Sequence, residues 1–250
     1  MSEFEKVASG SVPASADMSL DLGLRRFMLG VYNKVALGLL VSAWLAYLTS
    51  MVPPVRDLMF QVTADGRLVG YTALGAIIVF APLVVMIGSM FAMRSPSARG
   101  ASALYWTISA LIGASLGVLG LVYTGASLVS TFLITASAFG ALSLFGYSTR
   151  KDLSGIGSFL VVALFGLVVA SMVQMFWSPP GFSFAISIVG VLVFAGLIAY
   201  DTQRLKMTYY RLGGDQASLD AATSFGALSL YLDFINLFQF LLSIFGDRRQ

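Results

Sequence analysis

The chain has 250 residues, 58% of them hydrophobic and 11% charged, with a formal net charge of +3. A soluble domain is about 45–50% apolar and about 25% charged, so this apolar excess is too large for one buried core and most of the surface must meet lipid. Cysteine and histidine are both absent, which excludes disulfides, thiolate metal sites, the usual zinc ligands and a serine–histidine triad. Proton sensing near neutrality would then fall to carboxylates with raised pKa, or to Lys or Tyr with lowered pKa. The basic residues stand in small groups at the ends of apolar runs, with no basic face interleaved with aromatics, so the positive charge reads as a topology signal and not as a nucleic-acid surface.

Residues 1–24 are polar and small, and lack a basic stretch leading straight into an apolar one; they are expected to be a disordered tail and not a cleaved signal peptide. Seven apolar stretches follow: Phe27–Met51, Gly70–Met93, Ala101–Tyr123, Ala126–Tyr147, Gly157–Trp177, Phe182–Tyr200 and Ala222–Phe245. Each is long enough to cross a hydrocarbon core, which takes about 20 residues of helix. The runs are continuous and not alternating, and lipid demands that backbone groups pair within the segment, so helices are predicted. The predicted fold is an all-α membrane protein, a seven-transmembrane-helix bundle, with residues 25–250 as a single domain.

The connections are short. Pro53-Pro54 ends the first stretch, Thr124-Gly125 makes one tight turn and Ser178-Pro179-Pro180-Gly181 another. Arg25 and Arg26, Arg94 and Arg99, Arg150 and Lys151, and Arg204, Lys206 and Arg211 fall on alternate connections, which places the N-terminus in the cytoplasm. Arg56 and Arg67 on the opposite side are offset by Asp57 and Asp65. Seven spans leave Arg248 and Arg249 outside, against that rule; a re-entrant last segment is the alternative. Gly113 and Gly117, and the stretch Ala136–Gly140, are small-residue faces suited to close helix packing within the bundle or, alternatively, to dimerisation.

Charge inside lipid is costly, about 2.5–3.5 kcal/mol for an Asp at a helix centre, so the few charged residues in the spans are informative. Asp233 lies near the middle of the seventh stretch, with Ser229 and Asn236 on the same helical face. It is either a polar knot between helices or a functional site. Asp201 follows the sixth stretch; taken alone it is an interfacial carboxylate paired with Arg204 or Lys206. Against Asp233 it would form a pair that cannot both ionise cheaply, sharing a proton and titrating in coupled steps. Arg94 closes the second stretch, either as a topology residue or as a latch on Asp201. Lys34 is expected to snorkel to the interface, and Pro82 to kink the second helix.

Ser229–Phe238, reading SLYLDFINLF, resembles almost letter for letter the last-helix signature of the transmembrane Bax inhibitor motif family. Ala199–Gln203 (AYDTQ) resembles its sixth-helix signature and Lys151–Ser154 (KDLS) its loop between helices four and five. The resemblance covers roughly residues 23–246 and suggests a bacterial member. It implies a central C-terminal helix surrounded by the others. It also implies a pH-sensitive calcium leak, with Asp201 and Asp233 as pH sensor and gate and Arg94, by local context, as the latch of the closed form. Some relatives carry an acidic residue in helix two; residues 70–93 have none.

Calcium takes about six to eight oxygen ligands. Asp201 and Asp233, with Asn236, Ser229 and water in support, would offer a weak, transient site of the kind a leak requires. No resident cofactor is expected; calcium is the transported ion. The competing expectation is a regulator that binds a membrane protease or a stress or cell-death partner without transport, consistent with other branches of the family. A third, an intramembrane aspartyl protease, is disfavoured because Leu230–Asp233 lacks the glycines of that class's second motif. The short loops fit a bacterial inner membrane.

Overall fold

The structure, a computed structural model, describes residues 21–63, 67–92, 97–174, 176–177 and 179–249. Arg94, Ser178 and the part of the expected tail before residue 21 lie outside the described residues. Helices dominate: α1 (Leu22–Met51), α2 (Pro53–Met59), α3 (Ala73–Ala92), α4 (Ala98–Ser115), α5 (Gly117–Val122), α6 (Gly125–Ser148), α7 (Ser154–Gln174), α8 (Phe182–Arg211) and α9 (Gln216–Phe245), with a hairpin of β1 (Phe60–Val62) and β2 (Leu68–Tyr71) after α2. Among the described residues, seven spans are long and apolar enough to cross a membrane: α1, α3, α4 with α5, α6, α7, α8 and α9. The share of each apolar window buried runs from 6% in α3 to 44% in α8 and 56% in α9. The second span is therefore mostly exposed along its apolar window and the last two spans are the most buried.

The helix ends follow local chemistry. Asp21 Oδ1 accepts from the N–H groups of Gly23 and Leu24, both at 2.9 Å, and so starts α1 ahead of the predicted Phe27. Ser97 Oγ accepts from Gly100 N and starts α4. The turn after α8 uses Gly213 and Gly214 at φ of +59° and +90°, a region glycine enters without Cβ strain.

Four details differ from the sequence reading. The second span begins at Ala73, because Gly70 and Tyr71 belong to the hairpin, where Gln61 pairs with Gly70 and Phe60 with Tyr71. The third span is interrupted at Leu116, beside the Thr49 hydroxyl, which lies 3.0 Å from Ala114 O and 2.9 Å from Leu45 O of its own helix. The sixth helix continues past Tyr200 to Arg211, and the seventh starts at Gln216 instead of Ala222. In that extension Asp201, Thr202, Gln203, Leu205, Lys206 and Met207 are buried, so a stretch that reads as a polar loop is a helix packed in protein.

The chain forms two compact units. The first comprises residues 21–29, 129–215 and 232–246. Its core joins Leu160 and Leu167 of α7, Ile186, Val193, Phe194, Leu197 and Ile198 of α8, and Leu237 and Leu241 of α9. Phe234 meets Phe132 and Phe139 of α6, with ring centroids 5.5 Å away in each case. Here α6 runs against the backbone of α8: a Cβ on Gly146 would stand 2.1 Å from Ala199 O.

The second unit comprises residues 30–128, 216–231 and 247–249. Gly113 and Gly117 face α1; a Cβ on the first would lie 2.5 Å from Ser42 Cα, so this G-x-x-x-G face is filled within the chain. Gly140, in the other small-residue stretch, meets nothing within 4 Å. Buried Tyr231 shares a 2.6 Å hydrogen bond with Ser42 Oγ, which also bonds to Ser109 O. Lys34 does not extend to open water as expected: its Nζ donates to Ser224 Oγ at 2.5 Å and Ser102 Oγ at 3.4 Å. The chain end lies at the α5–α6 turn: Thr124 N donates to Asp247 O at 3.0 Å, Arg249 N to Val122 O at 2.9 Å and Arg249 Nε to Tyr123 O at 3.1 Å.

Candidate functional site

Asp201 and Asp233 both fall in the first unit, on α8 and α9. They are 7% and 6% exposed, in a region whose other buried side chains are mostly apolar. Their burial follows from helical spacing. Asp201 continues the inward stripe of Phe194, Leu197 and Ile198, and Asp233 sits among Leu230, Phe234 and Leu237, each of which is buried.

Oδ2 of Asp233 is buried and, among the described residues, has no hydrogen-bond partner. Asp201 and Arg204 are close enough to act on this carboxyl electrostatically. An ionised carboxylate left unpaired in such surroundings costs several kcal/mol, so the position calls for a proton, a cation or a water on that oxygen.

Asp201 is held from the other side. Arg204, one turn on, places Nη2 3.5 Å from Asp201 Oδ1, with its side chain half exposed and its guanidinium 5.8 Å from the centre of the Tyr200 ring. Of the two basic partners expected for Asp201, Arg204 is therefore seen beside it. Lys206 is buried and turns to α6, donating to Tyr147 O at 2.8 Å with Nζ 4.5 Å from the centre of the Tyr147 ring. Arg204 Nη2 to Asp201 is a long contact with one exposed partner, a class worth about 1 kcal/mol or less, so it can be broken and remade.

Gln203 fixes the α6–α7 loop beside the pair. Its Nε2 donates to Lys151 O and its Oε1 accepts from Leu153 N, both at 2.8 Å. Asp152, the residue after Lys151, caps the start of α7: its Oδ1 accepts from Ser154 N at 2.9 Å, and hydrogen bonds from the Ser154 side chain and backbone hold this carboxyl below its ordinary range. The sequence reading did not single out Gln203. Its signal was there as a polar side chain on the inward stripe, but the apparent loop after Tyr200 hid that stripe.

Of the supporting residues, Asn236 is half-buried and its Nδ2 donates to Leu232 O at 2.7 Å, within its own helix. Ser229, also half-buried, falls in the second unit. Arg94 lies outside the described residues. Among the described residues, no three acidic, histidine or cysteine side chains gather into a metal-binding cluster.

The chain matches the sequence model of the family described as "Inhibitor of apoptosis-promoting Bax1" over residues 24–250. It is 62% identical over 251 residues to a Caulobacter vibrioides protein, covering 100% of both chains. A Rickettsia prowazekii protein is 43% identical over 235 residues, 94% of this chain and 95% of its own. The Escherichia coli inner membrane protein YbhL is 41% identical over 228 residues, 91% of this chain and 94% of its own.

Proposed function

The chain belongs to the Bax inhibitor family of multi-pass membrane proteins, and from that premise we propose that it is a pH-sensitive calcium leak channel gated by Asp201 and Asp233. The observation that carries this reading is the buried, unpartnered Oδ2 of Asp233, set beside a second carboxyl on the neighbouring helix. A carboxylate kept only as structural glue would be expected to have both oxygens bonded.

In this reading the pair shares one proton, and loss of that proton adds like-charge repulsion between α8 and α9. The repulsion favours an arrangement in which water or a cation lies between the carboxylates, biasing a closed–open equilibrium. Calcium is then the cargo. Two carboxylates supply at most four oxygens of the about six to eight that calcium takes, so Asn236, backbone carbonyls and water would complete a weak, transient shell. Weak binding suits a leak, because tight binding blocks exit. The pair is assigned ion passage and no catalytic step. The proposal includes the inner membrane as its location, as for the E. coli relative, and a cytoplasmic N-terminus on the distribution of Arg and Lys.

The test is calcium flux into liposomes loaded with a fluorescent indicator, from roughly pH 6 to 8, on either side of neutrality. Wild type is compared with Asp201→Asn and Asp233→Asn. Flux that varies with pH in the wild type and loses that dependence in either variant is the expected result. Flux no greater than that of empty liposomes at every pH would refute the leak and leave the reading of a regulator that binds another membrane protein.

A further inference from the structure

A cavity of about 120 Å³ is lined by Tyr200, Gln203, Arg204, Met207 and Arg211 of α8 and by Asp152 and Ser154 at the start of α7. We propose that this cavity binds a phosphodiester group, and that an anionic membrane phospholipid supplies it.

The residues on α8 lie at positions 200, 203, 204, 207 and 211, one helical stripe. Along that stripe Arg204 follows Tyr200 and Arg211 follows Met207, so each guanidinium group has an apolar side chain one turn before it. Guanidinium offers a planar fork of donors that matches phosphate oxygens in pairs, where an ammonium would act only as a point charge. Arg204 is shared with Asp201 through a long 3.5 Å contact, a weak one for which a singly negative phosphodiester can compete, and Arg211 adds a second guanidinium to the lining. Asp152 is already engaged, with Oδ1 turned to Ser154 N at 2.9 Å as the cap of α7. The volume is several times the roughly 10–15 Å³ that one water needs, enough for a phosphate group.

The position favours a lipid as the source. The cavity sits where α7 starts and where α8 leaves its apolar stretch. Two residues beyond Ser154, α7 presents Ile156 and then Phe159, 54% and 70% exposed, as an apolar surface on which an acyl chain can lie. Basic pockets at the polar ends of membrane helices are a recurrent form of lipid headgroup site. Nothing in this argument depends on ion passage through the carboxyl pair.

The experiment is native mass spectrometry of the full chain in detergent, titrated separately with phosphatidylglycerol, with diacylglycerol and with inorganic phosphate. Wild type is compared with the double variant Arg204→Gln/Arg211→Gln and with Arg25→Gln/Arg26→Gln, which removes the same charge elsewhere. All four positions are at least partly exposed, and circular dichroism confirms that the variants remain helical. The expected result is a one-to-one phosphatidylglycerol adduct, weakened about tenfold or more by loss of the two charge-assisted contacts in Arg204→Gln/Arg211→Gln and kept in Arg25→Gln/Arg26→Gln. Diacylglycerol, which lacks the phosphate, forms no such adduct. Retention of inorganic phosphate with the same variant dependence, and no lipid adduct, would overturn the lipid source. Equal phosphatidylglycerol binding by all three proteins, or diacylglycerol binding that matches it, would overturn the site.

Discussion

Replacing Gly146 by alanine tests whether α6 and α8 pack backbone to backbone beside the carboxyl pair. A Cβ at this position would stand 2.1 Å from Ala199 O and 2.8 Å from Ala199 C and Cα, where ordinary contact begins at 3.4 Å. The shortfall from the carbonyl oxygen is 3.4 − 2.1, or 1.3 Å. These are backbone atoms of a helix, so no side chain can swing aside, and the helices must separate locally. Overpacking of this kind costs about 1–3 kcal/mol, set against about 0.5–1 kcal/mol gained from replacing glycine inside a helix. Gly140 lies on the same helix with nothing within 4 Å, so Gly140→Ala keeps the gain without the clash. Thermal unfolding in detergent should therefore move in opposite directions, with Gly140→Ala at or above wild type and Gly146→Ala below it. Ala199 is two residues from Asp201, so Gly146→Ala should also shift the pH profile of any flux. Equal or higher stability of Gly146→Ala than of Gly140→Ala would show that the two helices do not meet as described.

Asp233→Asn separates a gate from a structural knot: because Oδ2 has no hydrogen-bond partner, the variant should unfold at a temperature no lower than wild type while flux loses its pH dependence, and clear destabilisation would favour the knot. Gln203→Leu should lower stability by about 1–3 kcal/mol, the cost of a buried Leu153 N–H left without its acceptor, and should speed hydrogen exchange at that amide; unchanged exchange would contradict the clamp. Tyr231→Phe should cost about 0.5–1.5 kcal/mol, and a double-mutant cycle with Ser42→Ala should show coupling through their 2.6 Å hydrogen bond; additive effects would argue against it.

Much of this protein follows from composition alone. Lipid acts on each residue of a span nearly independently, so the sum of side-chain transfer preferences along the chain locates the seven spans and their order without any knowledge of packing. The same arithmetic marks Asp201 and Asp233, because charge is scarce in apolar runs and its cost demands a reason.

Other features were decided only in three dimensions. Hydropathy cannot distinguish water from a protein interior that supplies polar partners, so the helical stretch from Asp201 to Arg211 reads as a solvated loop. Lys206 reads as a topology charge until Tyr147, distant in sequence, provides a carbonyl and a ring. Lys34 likewise finds hydroxyls on α4 and α9. The choice of partner for Asp201, and the solitary oxygen of Asp233, are set by how α8 and α9 pack, because electrostatic and hydrogen-bond energies depend on distances of a few ångströms that one-dimensional patterning does not encode.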